Sequence, residues 1–164
     1  MIISPISNTG RKVWKYWIQQ RPVITQEFGK NPQIYNQFGL AGHNGIDFRA
    51  PVGTKVYAPF EGQLYHGNDG RNGYGINIRL KSHTRECVLA HLSEAYFTDG
   101  KKIHMGECIG KTGNTGFSTG PHLHFGYRTC KDGKVLNYNN GFKGYINIEQ
   151  YIICWKGGYM EFDL

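Results

Sequence analysis

The chain has no apolar run approaching the ~20 residues that a bilayer-spanning helix requires. Its opening, Met1-Ile-Ile-Ser-Pro-Ile6, has too short an apolar stretch and no basic lead for a secretory signal. Membrane insertion is not expected, and a role outside the cell would need another route of delivery. Paired cysteines are also missing. Cys87, Cys108, Cys130 and Cys154 stand far apart with no Cys-x-x-Cys among them, which argues against a sulfur-ligated metal site. Disulfides and separate thiols fit that even count equally, so their redox state stays open. Basic clusters are lacking as well, the longest runs being pairs such as Arg11-Lys12 and Lys101-Lys102. With no basic arm or recognised binding motif, nucleic acid is not an expected partner. The helical motif His-Glu-x-x-His is absent, so a glutamate of that motif is excluded as a general base.

What the 164 residues do contain is glycine, 23 of them spread along the chain, together with 14% aromatic residues. That combination suits short strands joined by tight turns. With 39% hydrophobic and 19% charged residues, the chain is long enough for one domain with a core of its own. Lysine and arginine exceed aspartate and glutamate by 19 to 12, a net charge of +7 that favours anionic partners, including acidic cell-wall polymers.

Taken in order, Val13-Trp-Lys-Tyr-Trp-Ile18 reads as a short strand or a helical turn, closed by Arg21-Pro22. Val23–Phe28 reads as a strand stopped by Gly29, and residues 29–42 as a loop leading into His43. Ile46 and Phe48 alternate with Asp47 and predict a strand with the carboxylate on the opposite face. Lys55–Ala58 and Gly62–His66 read as paired strands across Pro59-Phe-Glu61. Ile76, Ile78 and Leu80 mark one apolar face of the next strand, and Cys87–Leu92, apolar on both faces, a central one with His91 near its end. Gly106–Gly110 and Tyr145–Ile148 complete the strand-like segments, with an apolar stretch at Tyr151–Trp155. No helix of any length is required and no repeat is evident. The expected architecture is mainly β, a compact antiparallel β-sheet domain with a groove across it.

The densest chemistry lies in Thr119-Gly-Pro-His-Leu-His-Phe125. On a strand, His122 and His124 share one face, roughly 6.5–7 Å apart at Cα, while Leu123 and Phe125 anchor the other. Upstream stand His43-Asn-Gly-Ile-Asp47 and Leu89-Ala-His91-Leu-Ser93. A catalytic zinc keeps three protein ligands and leaves a position open. His43, Asp47 and His124 fit that set, two imidazoles and a carboxylate, which leaves His91 and His122 beside the metal to handle protons. His66, His83 and His104 have no comparable context and read as loop or surface residues.

These segments resemble the lysostaphin-type zinc metallopeptidases, which cleave peptides of bacterial peptidoglycan. The resemblance covers roughly residues 23–128. It rests on Gly42-His43-Asn-Gly-Ile-Asp47, Ala58-Pro59 with Gly62, Ala90-His91-Leu-Ser93, and Ile109 through Phe125 with its Gly-Lys-Thr-Gly-Asn-Thr-Gly-Phe-Ser-Thr-Gly run. It implies one zinc ion held by His43, Asp47 and His124, with His91 and His122 moving protons and stabilising the oxyanion. The implied reaction is endopeptidase hydrolysis of cross-bridge or stem peptides by a zinc-activated water. The alternative is a catalytically silent wall-binding or amidase-activating module, or a virion component with secondary lytic activity. Some members carry a tyrosine six residues before the first ligand histidine. That position is Gln37 here, and Tyr35 is the nearest tyrosine. The organisation expected is a lead segment (1–22), a catalytic core (23–128) and a C-terminal extension packing on it (129–164). A stand-alone, monomeric form without a signal is similar to phage-type versions that reach the wall by delivery or on lysis. Groove loops around 29–42, 66–74 and 111–120 are expected to set the scissile bond.

Overall fold

The structure, a computed structural model, describes residues 13–17, 23–149, 152–156 and 159–163, with backbone only for the first and the last two of these segments. Strands β1 (Val13–Trp17) and β2 (Ile24–Gln26) are followed by a single helical turn, α1 (Pro32–Tyr35), and a 3-10 turn (Asn36–Phe38). Next come β3 (Ile46–Arg49), β4 (Lys55–Tyr57), β5 (Gly62–Asn68), β6 (Ile76–Lys81), β7 (Arg85–Ala90) and β8 (Leu92–Ala95). The chain continues through β9 (Lys102–Ile103), β10 (Cys108–Thr112), β11 (His122–Lys131), β12 (Lys134–Val135), β13 (Ile152–Lys156) and β14 (Tyr159–Asp163). The fold is mostly antiparallel β, as expected.

The principal sheet runs β2-β3-β11-β7-β6-β5-β9, and every neighbouring pair in it is antiparallel. Side-chain alternation gives it two distinct faces. One face carries Ile46, Phe48, Ile78, Leu80, Cys87, Leu89, Leu123, Phe125 and Tyr127 into the main core. The smaller antiparallel sheet β4-β10-β8 contributes Val56, Leu92 and Ile109 to that core. On the other face Asp47, Arg79, His122, His124 and Arg128 line the groove, while Val88 and Ala90 are buried with Tyr145 in a second, smaller core. β13, β14 and β1 form a third antiparallel sheet, so the undecided segment Val13–Trp17 is a strand.

Two expected elements differ. β4 and β5 do not pair: β4 joins β10, with Val56 opposite Gly110, and β5 joins β6 and β9. The link between them is a buried corner. Ala58 and Phe60 are both inside, and the Ala58 backbone is tied to the 104–107 turn through bonds to Glu107 O and Gly106 N, each 2.9 Å. Driving Phe60 into the core sends the chain from one sheet to the other, where a hairpin would turn it back. Tyr145–Ile148 likewise forms no strand. Tyr145 makes one isolated bridge with Arg128, and the segment is held by Ile146 N on Tyr127 O at 3.0 Å and by burial of Tyr145 and Ile148.

Cys87, Cys108 and Cys130 are free thiols; the side chain of Cys154 lies outside the described residues.

Candidate active site

Strand register brings the site together. β3 and β11 pair with Asp47 directly opposite His124, and β11 pairs with β7 so that His124 faces Ala90. Asp47 and His124 are therefore cross-strand neighbours on the groove face, and His122 follows two residues away on the same side. His43 enters from the segment before β3. Its backbone is pinned at both ends, by Gly29 N on His43 O (2.8 Å) and His43 N on Lys30 O (2.9 Å). His91 occupies the joint between β7 and β8 with φ of 60°, a left-handed conformation that turns its ring out of the strand line. A Cβ on Gly45 would fall 2.5 Å from His124 Cε1 and 2.6 Å from Phe125 O, so a glycine is required behind the His124 ring.

All five residues singled out in the sequence meet in one place. His43 Nε2 lies 2.9 Å from His124 Nδ1, and Asp47 Oδ1 lies 3.1 Å from the first and 3.0 Å from the second. The His91 and His122 rings are 4.6 Å apart, and His122 Nε2 is 3.5 Å from Asp47 Oδ2. His43, Asp47, His91 and His124 are buried, while His122 is partly open to the groove.

Hydrogen bonds fix the tautomers. A backbone carbonyl only accepts, so His43 Nδ1 donates to Glu27 O (3.1 Å) and leaves the Nε2 lone pair facing Asp47 and His124. By the same logic His91 Nδ1 donates to Thr115 O (2.7 Å) and His122 Nδ1 to Gly120 O (2.7 Å), which leaves Nε2 of each to exchange protons. Burial raises the Asp47 carboxyl, but contacts with His124 and His43 outweigh it and hold the group well below the usual carboxylate range. Burial, and then the nearby His124, push His91 down to about 4. Burial also lowers His124, against the opposing pull of Asp47.

This donor set fits a metal ion. Two imidazole nitrogens and a carboxylate oxygen converge with separations of 2.9–3.1 Å. Donors on a tetrahedral ion with bonds of about 2.0–2.1 Å stand roughly 3.3 Å apart. Among the described residues, His43, Asp47 and His124 are the group of histidine, cysteine and carboxylate side chains close enough to hold an ion.

Asn44 and Tyr74 were not evident as site residues from the sequence, whereas Tyr35 and the loops 29–42, 66–74 and 111–120 were expected at the groove. The Tyr74 ring lies 5.2 Å from that of His124, and its hydroxyl accepts from Asn44 Nδ2 at 2.6 Å. Strand alternation read back from Ile78 would place Tyr74 in the main core, but Gly75 at φ 60° breaks the line ahead of β6. Tyr35 packs against His43 at 5.2 Å between ring centres, and its hydroxyl accepts from Gln26 Nε2 at 2.8 Å. Burial, with Asp47 next in effect, pushes the Tyr35 phenol up to about 12. The groove, about 710 Å³ in volume, is walled by the 34–40 and 69–74 segments, residues 117–119, and Tyr138, Lys143 and Tyr145 from beyond β12. That last wall is tied across by Phe28 on Phe142 (4.5 Å) and by Lys143 Nζ donating to Phe38 O (2.9 Å). Phe38 meets Phe117 edge to face at 5.4 Å, joining two of the walls.

Residues 41–138 match the model of peptidase family M23. The chain belongs to that family. It is 36% identical over 86 residues to the peptidoglycan DD-endopeptidase ShyA of Vibrio cholerae, a match covering 52% of this chain and 20% of that protein. Among solved structures it is similar to the catalytic domain of the prophage-encoded M23 protein EnpA of Enterococcus faecalis, with 30% identity, a TM-score of 0.57, and 72% of this chain and 89% of that one covered. The catalytic domain of the antimicrobial peptidase lysostaphin of Staphylococcus simulans gives 26% identity, a TM-score of 0.58, and coverage of 74% and 92%. The chain spans about a fifth to a quarter of the length of the curated relatives it matches.

Proposed function

We propose that this chain is a zinc metalloendopeptidase that hydrolyses peptide bonds of bacterial peptidoglycan, acting at the cell wall. The observation that carries the reading is the convergence of His43, Asp47 and His124 within 2.9–3.1 Å on a groove floor, with the His91 and His122 rings beside them. Endopeptidase relatives such as ShyA support the substrate class. His43, Asp47 and His124 would hold the zinc, which, when bound, lowers the pKa of a coordinated water and polarises a carbonyl.

The remaining steps belong to the chain's own side chains. His122, held through Nδ1 by Gly120 O, presents Nε2 near Asp47 and takes the proton released on attack. His91, held by Thr115 O and pushed down to about 4, is neutral at neutral pH. Its Nε2 shares that proton with the adjacent ring and passes it toward the leaving amine. Tyr35, whose phenol stays protonated, is placed at the groove to donate to the developing oxyanion. Tyr74, its hydroxyl held by Asn44, packs against the His124 ring and restrains its orientation.

The test is amine release from purified walls of two kinds, one cross-linked directly between stem peptides and one through oligoglycine bridges. New amino termini in either support the reading. Zinc-loaded, folded protein that releases none from both overturns it.

A further inference from the structure

The alternation that puts His122 and His124 on the groove face continues along β11 to Gly126 and Arg128. Register extends it into a grid. Behind the row of Asp47, His124 and Ala90 lies a row of Gly126, Val88 and Arg79, and behind that Arg128 opposite Glu86. Val88 and Ala90 of this grid are buried with Tyr145 in a small second core, while Arg79 and Arg128 line the groove. A Cβ at position 126 would strike the Tyr145 ring at 2.9 Å, so glycine there lets Tyr145 close against β11.

The charges on this floor do not cancel. Two arginines face one buried carboxylate. Arg128 takes it, with Nη2 on Glu86 Oε1 at 2.7 Å, and its Nη1 donates to Lys143 O at 3.0 Å. Arg79 is held off at 3.7 Å from the same oxygen, with 30% of its side chain exposed against 11% for Arg128. Arg128 is thus fixed and neutralises Glu86, which leaves the Arg79 charge and most of its donors to the groove. Its guanidinium lies 5.8 Å from the Tyr74 ring, which in turn lies 5.2 Å from the His124 ring. Those two steps place Arg79 within about three extended residues of the metal ligands. The wall also carries Lys143 and one carboxylate besides Asp47, Asp69, which accepts from Asn77 Nδ2 at 3.4 Å.

We infer that Arg79, positioned by Arg128 and Glu86, is a specificity-determining residue that binds a carboxylate of the substrate peptide close to the scissile bond. A planar guanidinium with free donors matches a carboxylate in bidentate fashion. The inference rests on the peptidase reading above and narrows it. A stem peptide, which carries ionised carboxyls, is the substrate class, whereas an oligoglycine bridge offers none to Arg79.

The experiment compares three synthetic stem-peptide dimers: one with its carboxyls free, one amidated at the side-chain carboxyl beside the cross-link, and one amidated at the C-terminus. An oligoglycine peptide capped at both ends, with no free carboxyl, is the fourth substrate. The zinc-loaded protein should cleave the free-carboxyl dimer about 10- to 100-fold better in kcat/KM than the dimer amidated at the recognised carboxyl, chiefly through KM. The two amidated forms identify which carboxyl it is. Arg79→Gln should collapse that ratio toward one, and Arg79→Lys should restore part of it. The metal-free protein, titrated with the same dimers by calorimetry, should show the same preference in binding, a readout that needs no variant to fold. Equal treatment of free and amidated dimers by the unaltered protein in both assays overturns the inference while leaving the peptidase reading intact. Cleavage of the oligoglycine peptide alone also overturns it, and absence of any cleavage overturns both.

Discussion

His43 Nε2 and His124 Nδ1 stand 2.9 Å apart although 81 residues separate them in the chain. With Asp47 Oδ1 at 3.1 and 3.0 Å, two ring nitrogens and a carboxylate oxygen converge on one point. A bound cation would take all three donors at once, and because the unfolded chain lacks the arrangement, binding stabilises the fold. Zinc at about 100 times its dissociation constant should stabilise the chain by about 2.7 kcal/mol, read as a higher melting temperature. Asp47→Asn should abolish most of that gain. An unchanged zinc-induced shift in this variant would remove Asp47 from the ligand set.

His122 reaches the ligand group with Nε2 at 3.5 Å from Asp47 Oδ2, and is more open to the groove than the ligands. His122→Ala should therefore lose about 10²- to 10⁴-fold in turnover. Its zinc content, measured by elemental analysis, should be unchanged. Loss of the metal along with activity would make His122 a structural residue instead.

Tyr35 keeps its proton because burial and the nearby Asp47 charge push its phenol up to about 12. Tyr35→Phe should lower kcat about 10- to 100-fold with little change in KM or in zinc content, as expected for a donor used only as charge develops. A wild-type kcat in this variant would assign oxyanion stabilisation elsewhere.

Gly45 lies behind the His124 ring with no room for a side chain. Gly45→Ala must displace either that ring or the Phe125 carbonyl. It should cost about 1–3 kcal/mol of stability and weaken zinc binding, both readable in one melting series with and without metal. An alanine accepted without effect on either would show that the site yields more than its packing implies.

In the metal-free protein His91 is pushed down to about 4 by burial and by His124, whereas an unfolded histidine titrates near 6.5. Between those values the unfolded chain binds the extra proton, so stability falls as pH drops through that window. Urea midpoints of the metal-free protein should decline from about pH 6.5 to pH 4, and His91→Gln should flatten the slope. A midpoint as high at pH 4.5 as at pH 7 would contradict the placement of a neutral, buried His91.

Much of this was legible in the residues. Alternation around His122-Leu-His124 and around Asp47 gave strand faces, and register then made Asp47 and His124 neighbours without any further assumption. The same alternation carried two steps further would have reached Arg128, a signal present in the sequence but unread. The pairing of β4 with β10 was not legible, because it depends on Phe60 turning into the core, and nothing local distinguishes that corner from a hairpin turn. Tyr74 was hidden by Gly75, whose left-handed backbone breaks the periodicity that would assign it to the opposite face. The wall from Tyr138 to Tyr145 was missed for a different reason. It has little regular structure of its own and is held by contacts to residues about a hundred positions earlier, such as Lys143 on Phe38 O.

The most direct measurement pairs zinc content with amine release from peptidoglycan, before chelation, after it, and after zinc is returned. About one zinc per chain is expected, with amine release lost on chelation and recovered on adding zinc. Full amine release from protein stripped of metal would contradict the account, and so would a tightly held zinc in protein that releases no amine from any wall.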